Sequence, residues 1–231
     1  MAVSSLDPSN PHWPIVSRRS IRRFLPTPVA RETVVRILDA AAHSASGHNI
    51  QPWKVYVVEG NTKQKITENI LNVIATEPEA RHQPEFDYYP TDWFEPYIGR
   101  RRDVGFKLYE LLGIAREDKE GRTRQLHENF HFFGATVGLF LTFDRRLATG
   151  TYMDMGMFLQ SIMVAARIEG LDTCAQAIFT WYHKVLRDIL PIQETEILVC
   201  GMSLGYADPE ARENQLVAPK QKSNEFTHYF S

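Results

Sequence analysis

The stretch YMDMGMFLQSIMVAARIEG, residues 152–170, decides the fold class, because apolar side chains surround the helix that its spacing predicts. One stripe of this helix consists of Met155, Phe158, Leu159, Ile162 and Ala166. The other sides carry Met157, Val164, Ala165 and Ile168. A helix that is apolar nearly all round is central to a core or shared with a second subunit.

Helices and strands alternate on both sides of this stretch. Apolar spacing predicts further helices over residues 31–43, 62–74, 100–112, 123–133 and 183–190. Strand-like runs occupy residues 53–58, 136–143 and 196–200, with a short one after Thr173. Residues 1–17 are expected to be extended, because three prolines oppose a helix there. Several helices per strand indicate an α/β or α+β fold.

The composition is that of a globular protein with little net charge. The chain has 231 residues, enough for one large or two small domains, and 26 basic against 28 acidic residues give a net charge of −2. Binding to nucleic acid or to an anionic membrane surface favours a basic balance, so neither partner is expected. No apolar stretch approaches the roughly 20 residues that span a bilayer. The N-terminus also lacks the pattern of a signal peptide.

The two cysteines and the histidines give no sign of a metal site. Cys174 and Cys200 lie in apolar surroundings, which favours free buried thiols over a disulfide. His127 and His131 have the spacing of metal ligands on a helix, but no third ligand is near, so no metal is predicted. We therefore expect a reduced, soluble protein of the cytoplasm. Motifs for hydrolysis, for a Walker loop and for dinucleotide binding are absent from the sequence.

A basic segment, RRSIRRF at residues 18–24, holds four guanidinium groups and a hydroxyl. Arginine forks suit phosphate, and alternation in an extended segment would place Arg18, Ser20 and Arg22 on one side. A short basic cluster is by itself more often a solvated surface. PKQK, residues 219–222, adds a second basic pair.

Two other segments have compositions suited to a binding site. SGHNIQPW, residues 46–53, offers hydroxyl and amide groups for the edge of a heteroaromatic ring and a glycine that exposes backbone donors. Residues 76–98 combine four prolines with six aromatic side chains. Such a segment inside a compact domain predicts a lid or a pocket wall, the alternative being a surface excursion that its aromatic residues pin down.

Arginines for a phosphate and an amide-rich loop for a heteroaromatic edge are what flavin mononucleotide (FMN) requires, and here the chain resembles the FMN-dependent nitroreductase superfamily. The resemblance runs from Arg18 to Lys222 and covers essentially the whole chain. It rests on RRSIRRF at 18–24, SGHNIQPWK at 46–54, MGMFLQ at 155–160, GLDTCAQAI at 170–178 and GMSLGY at 201–206. The five motifs occur in the order of the family.

The resemblance implies an α+β sandwich, in which a mixed, largely antiparallel sheet is flanked by helices. It also implies an intertwined homodimer with both FMN sites at the interface. Residues 1–231 would form one FMN-binding domain, with 76–133 as a lid or excursion and 207–231 as a C-terminal arm that crosses to the partner subunit. Three aromatic residues of this arm have a spacing suited to docking, and a frayed terminus is the alternative.

The resemblance further implies which residues hold FMN. Arg18, Lys220 and Lys222 would bind the phosphate, Ser20 would bind phosphate or ribityl oxygens, and Arg22 would place a cation near the flavin N1 and O2. A backbone N–H of the segment 175–178 would point at N5, and the alanines there leave no side-chain role. The other implied cofactor-binding residues are Arg19, Ser46, Gly47, Asn49, Gln51, Gln160, Ala175, Gln176, Ala177 and Ile178, with Ser46, Gly47 and Asn49 approaching from the neighbouring subunit. The implied substrate pocket contains His48, Trp93 and Tyr97.

The activity that the resemblance implies is reduction of nitroaromatic or similar electron-poor aromatic compounds, with FMN as cofactor and NADPH or NADH as electron donor. Hydride transfer would follow a ping-pong mechanism, with the chemistry at flavin N5 and no catalytic side chain. Within the superfamily, reductive dehalogenation of halogenated phenols and oxygen-dependent destruction of the flavin are alternatives. A non-catalytic FMN-binding protein is an alternative from another class.

Overall fold

The computed structural model describes residues 7–77 and 83–231. Its helices are α1 (Trp13–Val16), α2 (Arg31–Ala41), α3 (Gly60–Thr76), α4 (Tyr97–Leu112), α5 (Lys119–His127), α6 (Thr151–Ile168) and α7 (His183–Ile189). The strands are β1 (Lys54–Glu59), β2 (Val137–Asp144), β3 (Asp172–Gln176) and β4 (Glu196–Gly205). Short 3₁₀ helices occur at Gly47–Asn49, Phe132–Gly134, Ala177–Tyr182, Arg212–Gln215 and Ser223–Glu225.

The four strands form one sheet in the order β1-β2-β4-β3, and each neighbouring pair is antiparallel. The central strand β2 is buried from Val137 to Phe143. Burial on both faces explains why its sequence is apolar at nearly every position rather than alternating. A parallel bridge between Ser20 and Thr173 adds the N-terminal segment beside β3. The predicted α+β fold, a largely antiparallel sheet flanked by helices, is confirmed.

Helices cover both faces of this sheet. On one face α2 and α6 pack together over the core that includes Leu139, Leu141 and Phe143 of β2. On the other face α3 and α7 pack over the core that includes Phe140. Because successive side chains of a strand point to opposite faces, β2 contributes to both cores.

The apolar helix that decides the fold class, α6, buries one side and leaves another uncovered. Phe158 is buried and its ring stacks on Trp53, with ring centroids 4.6 Å apart. By contrast, Met153 is 71% exposed and Ile168 is 66% exposed. One side of α6 therefore builds the core, and an apolar side remains open to solvent in the single chain.

The prediction of a helix over residues 123–133 is wrong in its position. The helix α5 begins earlier, because the side chain of Asp118 caps it and accepts a hydrogen bond from the Gly121 N–H at 2.7 Å. It ends at His127, and the chain then turns through Phe132 and Phe133, whose φ angles are 54° and 53°. This left-handed conformation is incompatible with a continuing helix, and both rings are buried in the core.

The prediction of an extended N-terminus is wrong for one short stretch, and two predicted segments are described only in part. Within the predicted extended stretch 1–17, residues 13–16 form a helical turn, because Pro14 suits the first turn of a helix, where no backbone donor is needed. Residues 1–6 of that stretch and residues 78–82 of the aromatic segment 76–98 lie outside the described residues.

Candidate functional site

The basic segment 18–24 runs alongside the edge strand β3. The Ile21 N–H donates to the Thr173 carbonyl at 3.1 Å, and the Phe24 N–H donates to the Phe133 carbonyl at 3.0 Å. The side chains of Ile21 and Phe24 are buried. Anchoring of these apolar residues in the core keeps the intervening Arg22 and Arg23 at the surface.

A cleft of about 460 Å³, here called the cationic cleft, opens beside this segment. Its charged and hydroxyl-bearing lining residues are Ser17, Arg18, Arg19, Ser20, Arg22 and Lys220. Val16 of α1, Val104 of α4 and the apolar residues 216–219 complete the lining. Among the lining residues that the structure describes there is no carboxylate, so the cleft is suited to an anion.

The arginines of the cleft lie close to β3. Burial raises the pKa of the Cys174 thiol to about 11, while the nearby charges of Arg22 and Arg18 act to lower it. Arg18, Ser20 and Arg22, which alternation places on one side, all line the cleft, but so does Arg19, which alternation places on the other side. The Arg19 side chain differs from theirs in that its Nη1 donates to the Asn214 carbonyl at 3.0 Å.

Arg23 points the other way. Its Nε donates to Glu213 Oε1 at 3.1 Å, and its Nη1 lies 3.4 Å from Glu128 Oε2. Asn214, which is buried, accepts from the Arg22 N–H at 2.8 Å and donates to the Arg23 carbonyl at 2.7 Å. Glu213 and Asn214 thus hold the basic segment in place, and no sequence signal singled them out.

A second cleft, of about 750 Å³, lies at the far end of β3 and is here called the aromatic cleft. The lining residues at the end of β3, Ala175, Gln176, Ala177 and Ile178, are here called its floor. The other lining residues are Gln83, Pro84, Asp87, Tyr88, Tyr89, Pro90, Leu126, Asn129, Thr180 and Trp181. Because Ser20 of the cationic cleft bridges to Thr173, two residues before Ala175, the two clefts lie beside neighbouring parts of β3, and no residue that the structure describes lines both.

Hydrogen bonds of the buried Gln176 side chain fix the floor of the aromatic cleft to the core. The Gln176 side chain is 2% exposed, its Oε1 accepts from the Ser203 hydroxyl at 2.6 Å, and its Nε2 donates to the Asn129 carbonyl at 2.7 Å. The side chain of Gln176 is therefore engaged in the core, and Ala175, by contrast, is exposed on the cleft side.

Residues 83–97, here called the aromatic wall, contribute six residues to the lining of the aromatic cleft and are linked by ring contacts. Phe86 packs on Tyr152 of α6 with ring centroids 4.9 Å apart, and Tyr88 meets Tyr89 edge-on at 4.6 Å. Trp93 lies 5.5 Å from Tyr89 and under the Arg101 guanidinium at 4.8 Å.

One group of seven predicted site residues lines neither cleft of this chain. Three of them are predicted for the substrate pocket and four for the loop that approaches the cofactor. Trp93, Tyr97 and His48 are absent from the described linings. The same holds for Ser46, Gly47, Asn49 and Gln51.

The loop 46–51 has an unusual backbone conformation. His48, Asn49 and Gln51 have φ angles of 49°, 58° and 46° and are all exposed. The Gly47 N–H donates to Asp154 of α6 at 3.2 Å, and the Gln51 N–H donates to the Ser46 hydroxyl at 3.0 Å. These bonds hold a left-handed conformation that non-glycine residues seldom adopt.

The remaining predicted positions lie elsewhere on the surface. Gln160 borders a shallow groove between α2 and α6 together with Ala40 and Ile168. Lys222 is exposed beside the last 3₁₀ helix, and its N–H donates to Glu225 at 2.8 Å. Of the predicted basic pair, Lys220 alone is among the described residues that line the cationic cleft.

Other kinds of site find no support in the part of the chain that the structure describes. Within residues 7–77 and 83–231, no three His, Cys, Asp or Glu side chains are grouped to hold a metal ion. No helix in these ranges has the length and hydropathy to cross a membrane. Cys174 and Cys200 are buried free thiols.

The Nitroreductase family model matches residues 15–206. Nitrobenzene nitroreductase of Ectopseudomonas oleovorans is 40% identical over 215 residues, which is 93% of this chain and 94% of that one. The 4-nitrobenzoate reductase of Pseudomonas putida is 38% identical over 215 residues, 93% of each chain.

A solved structure shows the same fold. The FMN and NADPH-dependent nitroreductase NfnB from Sphigopyxis sp. strain HMH has a TM-score of 0.91 and 37% sequence identity, with 94% of this chain and 97% of that chain covered. Family model, sequence identity along the chain and fold agree, and this chain belongs to the nitroreductase family.

Proposed function

We propose that this protein is an FMN-containing oxidoreductase that uses NADPH or NADH to reduce nitroaromatic compounds by a ping-pong mechanism. The relatives described above are named as reductases of nitrobenzene and 4-nitrobenzoate, and NfnB is named as FMN- and NADPH-dependent. The observation that carries the proposal for this chain is that the cationic cleft lies beside the start of β3 and the aromatic cleft at its end.

The residues of the two clefts fit FMN. This molecule has a phosphate on a polar chain at one end and a flat aromatic ring system at the other. A site for it therefore needs cations beside a mostly apolar surface. Arg18, Arg22 and Lys220 supply the cations, and the small side chains of Ala175 and Ala177 let a ring approach the backbone closely.

Bound FMN would supply the two-electron redox chemistry between reduced nicotinamide and the nitro group. In the proposal, Arg18 and Lys220 bind the phosphate, and Ser20 donates to phosphate or ribityl oxygens. Arg22 provides positive charge beside the ring end of the cofactor. Gln176 acts from below, because its buried amide fixes the backbone that forms the floor.

The aromatic wall has the role of packing the acceptor and excluding water. Tyr88 and Tyr89 of this wall, and Trp181 after the floor segment, line the cleft and would pack against an aromatic compound. We place Trp93 and Tyr97 at the outer part of this wall.

An anaerobic experiment with the purified protein tests the function. We expect NADPH or NADH to bleach the flavin absorbance, and nitrobenzene to restore it. Failure to bleach would indicate a non-catalytic FMN-binding protein. Halide release from a chlorophenol without nitro reduction would indicate a dehalogenase, and loss of the flavin ring in air would indicate flavin destruction. Mass spectrometry of the released cofactor must show FMN, and FAD as the sole flavin would contradict the proposal.

We further propose a homodimer built from one domain per chain, residues 1–231, with 76–133 as the lid region. Support comes from apolar side chains that a single chain leaves open: Met153 and Ile168 on α6, and Phe226, Tyr229 and Phe230, which are 62%, 89% and 95% exposed. In this arrangement the arm 207–231 crosses to the partner subunit. Light scattering after size exclusion tests it, and a monomer at micromolar concentration would contradict it.

The dimer would also account for the residues that lie outside both clefts. Ser46, Gly47, His48, Asn49 and Gln51 would reach the cofactor and substrate of the partner subunit, and Gln160 and Lys222 would join the site from the interface. The buried free thiols Cys174 and Cys200 support a reducing compartment, and we propose the cytoplasm.

A further inference from the structure

A mostly buried carboxylate, Glu85, lies within the aromatic wall. Its Oε1 accepts from Arg145 Nη2 at 2.5 Å, and both of its oxygens lie 3.1 Å from Arg187 Nη2. Its Oε2 also accepts from the Leu198 N–H at 3.2 Å. The side chain of Glu85 is 11% exposed and that of Arg187 is 8% exposed.

These partners come from three parts of the scaffold. Arg145 follows β2, Arg187 belongs to α7, and Leu198 belongs to β4. Both arginines also donate to the Glu196 carbonyl, Arg145 at 2.9 Å and Arg187 at 2.6 Å. Burial alone would raise the pKa of Glu85, but the hydrogen bonds from both arginines and from Leu198 lower it below its usual value. The carboxylate is therefore ionised and tied to the end of the sheet.

Next to Glu85 in the chain are the residues that form the wall. Gln83 and Pro84 precede it and line the aromatic cleft, and residues 87–90 follow it and line the same cleft. Gln83 is held as well, because its carbonyl lies 3.2 Å from His183 Nε2 of α7. From residue 83 to residue 96 the chain has no helix or strand to stiffen it, so these side-chain contacts set where the wall lies.

A buried ion pair adds little to stability when compared with apolar packing of the same volume, and its best-attested role is to specify one arrangement. We propose that Glu85 is a positioning residue, which through Arg145 and Arg187 holds the aromatic wall at one distance from the floor at Ala175–Ile178 and so sets the size of nitroaromatic compound that the cleft accepts. The proposal rests on the proposed function for its substrate, and on the described contacts for its geometry.

The chain offers a matched pair of variants to test this. Arg145 and its neighbour Arg146 each form an ion pair with an N···O distance of 2.5 Å, but Arg146 pairs with Asp144 and is 78% exposed. Arg145→Ala removes one of the two arginines that bind Glu85. Arg146→Ala removes an equally short ion pair at the surface, which does not involve the wall. Glu85→Gln, which keeps the size of the side chain but removes its charge, is the second variant if Arg145→Ala does not fold.

Two readouts are measured on the FMN-loaded protein. The first is the ratio of kcat/KM for nitrobenzene to kcat/KM for 1-nitronaphthalene. We expect this ratio to fall about fivefold in Arg145→Ala and Glu85→Gln, because a released wall admits the larger ring, and to stay unchanged in Arg146→Ala. The second is hydrogen–deuterium exchange of the backbone in residues 83–97, which should become about tenfold faster in the first two variants only.

A structural role without positioning would lower the melting temperature and leave both readouts unchanged, and that result overturns the proposal. Faster exchange with an unchanged ratio overturns it too, because the wall would then not select the substrate. If the parent protein reduces neither compound, the proposed function fails. The exchange measurement then still decides whether Glu85 anchors the wall.

Discussion

Replacing Arg18 with alanine should weaken FMN binding strongly and leave folding stability almost unchanged. The Arg18 side chain lines the cationic cleft, and within residues 7–77 and 83–231 its guanidinium makes no hydrogen bond or ion pair. Its removal would therefore take away the proposed phosphate contact without breaking a hydrogen bond or ion pair of the fold. A charge-assisted hydrogen bond to phosphate contributes roughly 1.5–3 kcal/mol, which corresponds to about a 10- to 150-fold loss of affinity.

Arg23→Ala is the matched control, because Arg23 lies in the same segment and faces away from the cleft. It holds Glu213 and Glu128, and the side chain of Glu213 is only 7% exposed. Loss of this partner should destabilise the fold by about 1–3 kcal/mol, since a buried carboxylate is left less well satisfied. FMN affinity at a temperature where the variant is folded should change by less than about threefold.

Fluorescence titration of the apoprotein with FMN gives the dissociation constants, and urea denaturation gives the free energies of unfolding. The expected pattern is a crossed one, in which Arg18→Ala affects binding and Arg23→Ala affects stability. Equal losses of FMN affinity in the two variants would refute the assignment of opposite sides to these arginines.

Three further outcomes are expected. Arg22→Gln should lower the two-electron midpoint potential of bound FMN by about 30 mV if the charge favours the reduced, anionic flavin by about 1.4 kcal/mol. An unchanged potential in potentiometric titration would leave Arg22 with a role in binding only. Glu196→Gln should remove a pH dependence of stability. Burial alone would raise the pKa of the Glu196 carboxyl, but hydrogen bonds from Thr142, Lys54 and Tyr56 lower it. The contribution of Glu196 to the free energy of unfolding is therefore full above the unfolded pKa near 4.5 and is lost as the pH falls through the folded pKa. If urea denaturation gives parent and variant the same pH dependence from pH 6 down to about pH 3, this expectation is contradicted. Gly138→Ala should destabilise the fold by about 1–3 kcal/mol, because its Cβ would come within 2.4 Å of the Phe132 ring, whereas Gly150→Ala, with no atom within 4 Å, should be neutral in the same denaturation assay.

The sequence by itself determined the fold class, most element positions and the family. Helices and strands follow from apolar spacing among near neighbours, which is why α2, α6 and β2 lie close to their predicted ranges. Local alternation in residues 18–24 separated Arg22 from Arg23, but it did not exclude Arg19 from the cleft that Arg18 and Ser20 line. The helix predicted over 123–133 failed because the turn at Phe132 and Phe133 depends on burial of their rings, which periodicity does not report.

The tertiary structure alone decided which residues hold the site together. Asn214 binds the backbone of Arg22 across 192 residues of sequence, and Glu85 meets Leu198 across 113. Gln176, a predicted cofactor-binding residue, turns its side chain to Ser203 in the core, and only its place on the cleft floor remains for a ligand. From the sequence alone, an Asn, Glu or Gln side chain could form a hydrogen bond with many different polar groups of the chain. Packing of the sheet against its helices is what selects one of them, because a buried polar group must find a partner at hydrogen-bond distance.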